Sequence, residues 1–241
     1  MMTRLLSVIA LLTLGRTAAT AAAQQTNVLE AEATQEIRLQ YLLFRPTKYE
    51  EDPQRCWPFI LYLHGGSARG DDIERLRKIG LPKRLEQDPD FPFIVASPLL
   101  PEGEIWTDVH ALMALVDQVA REHRVNAARI YVTGHSMGGR GALYLAYRQP
   151  DRFAAVVAIS PYSPITAWAK RLTNVPLWLI HGAKDVQAPI KDTEELVQAI
   201  EKAGGRPRFT SLPDRDHFLL DSYDRNDIFD WLLEHRKPEA P

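Results

Sequence analysis

Arg129-Ile130-Tyr131-Val132-Thr133-Gly134-His135-Ser136-Met137-Gly138-Gly139-Arg140-Gly141-Ala142-Leu143-Tyr144-Leu145-Ala146 is the stretch whose reading decides the fold. Residues 129–133 form a mainly apolar run, as a buried strand does. Gly134-His135-Ser136-Met137-Gly138 fits G-x-S-x-G, and the small-residue segment that follows reads as a helix. Strand, tight glycine turn and helix form the context of a nucleophile elbow. Such a turn strains the backbone at the serine and lifts its hydroxyl above the sheet. Glycines flank it because side chains there would collide with the neighbouring strand and helix.

Working outward, strand-like and helix-like segments alternate. Residues 37–44 alternate polar and apolar, like a half-exposed strand. Residues 59–63, 93–96, 154–159 and 177–180 are continuous apolar runs that read as buried parallel strands, and 208–212 as a short last one. Residues 109–125 carry apolar side chains at helical spacing. Asp192-Thr193-Glu194-Glu195 looks like a capped helix start, with Asp192 as the cap and Gly204 closing the helix. Ile228, Phe229, Trp231, Leu232 and Leu233 mark a final helix. The expected architecture is α/β, a mostly parallel central sheet with helices on both faces. Ligands of such sheets bind beyond the carboxyl ends of the strands, so the chemistry should lie in the loops after strands.

Composition agrees with one globular domain: 241 residues, 45% hydrophobic and 25% charged. A formal charge of -2 and a pI near 6.4, with no basic block, argue against a nucleic-acid or anionic-membrane partner. The start of the chain stands apart. Arg4 precedes an apolar core at 5–14, followed by small residues that include an A-x-A site, Ala21 and Ala23. That pattern is a secretory signal peptide over 1–23, too short in its apolar part to span a bilayer. Residues 24–36 would then be an N-terminal extension and 37–241 the catalytic domain, secreted or periplasmic, without an integral membrane segment. A single cysteine, Cys56, allows no intrachain disulfide and reads as a small, partly buried hydrophobe. Arg69-Gly70-Asp71 is a chance tripeptide in a loop.

A serine hydroxyl needs a general base, and histidine suits that role near neutral pH. Of seven histidines, His217 alone follows a strand, lies in a polar loop and leads into the last helix. His64 and His181 each precede a glycine at a strand end, which reads as backbone geometry, and His135 sits inside the elbow. The base needs a carboxylate to hold its tautomer. Asp185, in the loop after 177–180, is the candidate, with Asp214 and Asp216 as runners-up that stand too close to His217 in sequence. The order Ser136, Asp185, His217 is the one this fold uses. An oxyanion needs preorganised N–H donors. Met137 supplies one candidate and His64-Gly65-Gly66-Ser67 the other, with Gly66 first and Gly65 or Ser67 second.

With these residues in place the chain resembles the α/β-hydrolase fold family. Within it, the resemblance is to secreted serine esterases grouped near dienelactone hydrolase, polyhydroxyalkanoate-depolymerase-like esterases and the so-called predicted peptidases. The resemblance is carried by His64-Gly65-Gly66, residues 129–139, residues 181–185 and His217, and runs from about residue 37 to 236. It implies hydrolysis of carboxylic esters through an acyl-enzyme on Ser136, with no cofactor. Dienelactone hydrolases themselves use a cysteine nucleophile where this chain has Ser136. Only residues 160–175 stand where lipases of this fold carry a large lid, so none is expected here. The expected substrates are small or polymer-tethered esters, with Trp106, Tyr162 and Trp168 as candidate pocket residues. A peptidase using the same residues, or an inactive binding module, are the alternatives.

Overall fold

The computed structural model describes residues 36–238. The expected signal peptide and nearly all of the expected extension lie outside those residues, and the described residues from Leu39 onward make one compact unit. Seven strands build a single sheet: β1 (Tyr41–Phe44), β2 (Trp57–Leu63), β3 (Ile94–Pro98), β4 (Val125–His135), β5 (Ala155–Ile159), β6 (Leu177–Gly182) and β7 (Arg208–Leu212). Their order is β1-β3-β2-β4-β5-β6-β7. Only β1 runs antiparallel to its neighbour, so six strands point their carboxyl ends to one edge. This is the expected mostly parallel α/β sheet.

Strands β2, β3, β5 and β6 are buried along their whole length, and β4 from Ile130 onward, because both faces are covered there. Alternation along β2 sorts its side chains between two cores. Phe59, Leu61 and Leu63 pack with α2 (Val109–Glu122), α3 (Met137–Arg148) and α5 (Ile190–Lys202). Ile60 and Tyr62 face α1 (Gly80–Leu85) and α6 (Asp227–Glu234). Helix α2 earns its place through Leu112, Leu115, Val116 and Val119, all buried at helical spacing. Between β5 and β6 the chain makes only a 3-10 turn (Thr166–Trp168) and the short α4 (Ala169–Leu172), leaving no room for a lid domain.

Two local expectations are corrected, and one element was not expected. Cys56 is exposed, because it stands just outside the buried β2. Asp192 does not cap α5, which begins earlier, with Pro189 at the cap position, and places Asp192 in its first turn. The short α1, with Gly80 at φ 53 and Pro82, has too few residues to show helical periodicity.

Candidate active site

Register brings the site together. Leu63 of β2 pairs with Gly134 of β4, and His135 of β4 with Ile159 of β5, so the loops after these strands start side by side. Ser136 lies between β4 and α3 at φ 57 and ψ −119, a conformation costing a non-glycine residue about 1–3 kcal/mol. Neighbouring backbone holds it there: Ser136 N–H donates to Ile159 O at 2.9 Å, and Tyr162 N–H donates to Ser136 O at 3.1 Å. The flanking glycines are steric necessities. A Cβ on Gly138 would stand 1.9 Å from Leu63 O, and one on Gly134 2.4 Å from the Gly138 carbonyl.

Ser136 Oγ lies 2.9 Å from His217 Nε2. His217 Nδ1 lies 2.7 Å from Asp185 Oδ2. A carboxylate only accepts, so Nδ1 carries the proton and Nε2 accepts from the serine hydroxyl. Asp185 Oδ1 takes the N–H groups of Gln187 at 2.9 Å and Ala188 at 2.8 Å. Burial pushes the Asp185 carboxyl up, but the Ala188 N–H, His217 and the Gln187 N–H outweigh it, leaving it below its ordinary value. The His217 loop rests on β6 through Gly182, where a Cβ would meet Asp216 O at 2.3 Å. Lys184 N–H donates to Arg215 O at 2.9 Å and clips the Asp185 and His217 loops together. Of the runners-up for the acid, Asp214 pairs with Lys184 and Asp216 accepts from Phe218 N–H.

The loop after β2 faces Ser136 from the other side. A Cβ on Gly65 would lie 3.6 Å from Ser136 Cβ. Gly65 O accepts from His64 Nδ1 at 2.8 Å and Ala68 N–H at 3.1 Å. The peptide is trans, so its other end, the Gly66 N–H, faces the opposite way. Gly66 opens the 3-10 turn Gly66–Ala68, and its carbonyl is held by Arg69 Nε at 3.0 Å. Met137 opens α3, where the first N–H groups have no intrahelical acceptor. His64 anchors this loop from below. It is fully buried, its Nε2 accepts Leu100 N–H at 3.0 Å, and its own carbonyl accepts Trp106 Nε1–H at 2.9 Å. Burial, opposed by the Gly65 carbonyl, pushes His64 down to about 4.

Two expected pocket residues are not surface residues. Trp106 is 3% exposed, because it packs beneath the His64 loop against Gly141, where a Cβ would stand 2.5 Å from its own. Trp168 is 7% exposed, its ring 5.4 Å from Tyr144 and 5.6 Å from Tyr147. Tyr162 is 52% exposed and sits beside Ser136.

Two histidines that sequence assigned no part in the site, His135 inside the elbow and His181 read as backbone geometry, also belong to this group. His135 Nε2 donates to His217 O at 2.7 Å, and burial, opposed by that carbonyl, pushes it down to about 4. His181 Nε2 lies 3.1 Å from Asp185 Oδ2. The usable signal was a histidine at a buried strand end, in one segment with the acid. Among the described residues no three His, Cys, Asp or Glu side chains are arranged to hold a metal ion, and no helix is long and apolar enough to cross a membrane. Two surface hollows lie elsewhere, one beside Leu177 at the start of β6, the other around residues 126–129.

The Esterase family model matches residues 82–205, just over half of the chain. The chain belongs to this esterase family. It is similar to cutinase est1 of Thermobifida alba, at 38% identity over 73 residues, covering 30% of this chain and 24% of that protein. It is also similar to acyl-protein thioesterase 1 homolog 2 of Dictyostelium discoideum, at 29% identity over 113 residues, covering 44% of this chain and 51% of that one. The chain thus spans about a quarter to a half of the length of these two relatives. Among solved structures, a thermostable esterase superposes with a TM-score of 0.71 at 23% identity, covering 83% of this chain and 60% of that one. That likeness shows the fold, an α/β-hydrolase sheet, which this esterase family member shares.

Proposed function

We propose that this chain is an exported serine carboxylesterase that hydrolyses small or polymer-tethered esters through an acyl-enzyme on Ser136. The observation that carries the reading is the 2.9 Å contact between Ser136 Oγ and His217 Nε2 at a strained elbow. His217 Nε2 takes the hydroxyl proton as Ser136 Oγ attacks the ester carbon. The Gly66 and Met137 N–H groups receive the oxyanion, and buried Asp185 stabilises the imidazolium. Collapse breaks the bond to the alcohol oxygen, which takes the proton from Nε2 and leaves. A water molecule then attacks the acyl carbon, giving its proton to Nε2, and the carboxylic acid departs as Ser136 recovers its hydrogen. Export rests on the sequence of residues 1–23.

A fluorophosphonate probe tests the nucleophile. The expected result is labelling of the wild type and none of Ser136→Ala; equal labelling of both ends the proposal. Hydrolysis of p-nitrophenyl acetate without hydrolysis of peptide anilides separates an esterase from a peptidase. Labelled protein recovered from the culture medium or periplasm, beginning near residue 24, is the expected outcome for export.

A further inference from the structure

We propose that His181 and Thr193 are positioning residues of this site, extending the hydrogen-bonded series beyond Asp185 and fixing which of its oxygens faces His217. The proposal rests on the reading of Ser136 as nucleophile. His181 is the penultimate residue of β6, and its side chain is fully buried. Its Nε2 lies 2.8 Å from Ala188 O. A carbonyl oxygen only accepts, so the hydrogen is on Nε2. That same N–H is 3.1 Å from Asp185 Oδ2 and is shared between the two oxygens.

With Nε2 protonated, a neutral ring has its lone pair on Nδ1. Thr193 Oγ1, on the buried face of α5, lies 2.9 Å from Nδ1 and therefore donates its hydroxyl hydrogen to it. Burial favours this neutral form, against the Ala188 carbonyl and Asp185, which favour the charged one. The titratable groups facing His181 are Asp185 from its own loop, His217 from the loop after β7, and His135 from β4.

The Asp185 carboxylate then has four donors. Oδ1 takes two backbone N–H groups of its own loop; Oδ2 takes one imidazole N–H from His217 and one from His181. The backbone pair fixes one oxygen. The two imidazoles fix the rotation that aims the other at His217. A second donor on Oδ2 also draws charge from it, and so weakens its hold on the His217 proton. Without that donor, Asp185 favours the imidazolium more strongly and holds it less well aligned. Thr193 makes no hydrogen bond to Asp185, His217 or Ser136, so its influence on the reaction passes through His181.

The test uses the full chain and p-nitrophenyl acetate, with kcat, KM, the acid limb of kcat/KM against pH and thermal unfolding read for four variants. His181→Leu is expected to lower kcat by about tenfold or more at nearly unchanged KM, and to move the acid limb to higher pH. His181→Gln, which keeps a donor of similar reach, recovers most of kcat and returns the limb. Thr193→Val moves both readouts in the same direction by a smaller factor, and Thr193→Ser restores them. A folded His181→Leu protein with the wild-type kcat and acid limb overturns the proposal, as do Leu and Gln variants that behave alike. If His181→Leu does not fold, the Thr193 pair decides: a Val variant that loses thermal stability but keeps kcat and the limb shows a structural role only. A wild type that neither labels with fluorophosphonate nor hydrolyses esters removes the nucleophile assignment, and this proposal with it. Labelling and hydrolysis with unmoved variants leave that assignment standing and remove only the proposal.

Discussion

His135 Nε2 donates to the backbone carbonyl of His217 at 2.7 Å, so the residue before the proposed nucleophile holds the loop that carries the proposed base. The two rings stand 5.0 Å apart. On its other side, His135 Nδ1 would lie 3.3 Å from a Cβ on Gly65. One buried imidazole thus sits between the Gly65 loop and the His217 loop.

Removing that imidazole should loosen the base loop without touching a reacting atom. His135→Ala leaves His217 O with the Leu219 N–H at 3.1 Å but without its shorter bond from the imidazole, a loss of about 0.5–1.5 kcal/mol, and adds the cost of the space the ring vacates. The expected outcome is a lower melting temperature together with a kcat reduced about tenfold. His135→Gln, which can still donate, should recover part of both. Steady-state kinetics beside thermal unfolding check this.

Acid should weaken the fold before it reaches ordinary carboxylate pKa values. His64 and His135 are held down to about 4, whereas in the unfolded chain each takes a proton near pH 6.5. Between those values the unfolded state binds more protons than the folded one, so stability falls as pH falls. Each group contributes on the order of a few kcal/mol, fully present above about pH 6.5 and lost toward about pH 4. Asp185, held below its ordinary value, adds to the loss at the acid end. Urea midpoints measured from pH 7 downward should drop, and the slope should be shallower in His135→Gln. A flat profile would count against the buried neutral histidines.

Gly182→Ala should detach His217 from Asp185. Its new Cβ would stand 2.3 Å from Asp216 O and 2.5 Å from Arg215 O, both backbone atoms of the loop leading to His217. The loop must shift, and displacements of about 1 Å at a reacting group cost roughly a hundredfold. The expected protein is folded, somewhat destabilised, and loses about a hundredfold or more in kcat/KM.

Strain at the elbow predicts that function and stability part company at residue 136. Ser136→Ala and Ser136→Gly both lose the proposed nucleophile, but only glycine adopts φ 57 and ψ −119 at low cost. The glycine variant should be the more stable of the two by about 1 kcal/mol, after its greater unfolded-state entropy is counted. Chemical denaturation of both inactive proteins measures the difference directly.

The sheet and the elbow were readable because buried parallel strands leave continuous apolar runs, and because only glycine fits at 134 and 138. Ser136, Asp185 and His217 were legible together as residues that each follow a strand. What sequence does not carry is direction across the sheet. Trp106 stands in an active-edge loop, yet its ring turns inward to reach His64 O, and nothing in its neighbours along the chain says so. His135 and His181 read as local features because their partners come from other loops: His217 O lies 82 residues from His135, and Thr193 is reached only after a turn and the start of a helix. Short elements such as α1 escape because six residues are too few to show a period.

Tyr162 divides its duties within one residue. Its main-chain N–H braces Ser136 O, while its side chain stands 52% exposed beside the elbow. Any amino acid except proline keeps that N–H. Position 162 is therefore where a saturation library could retune which acyl or alcohol groups are accepted while the reacting atoms keep their places.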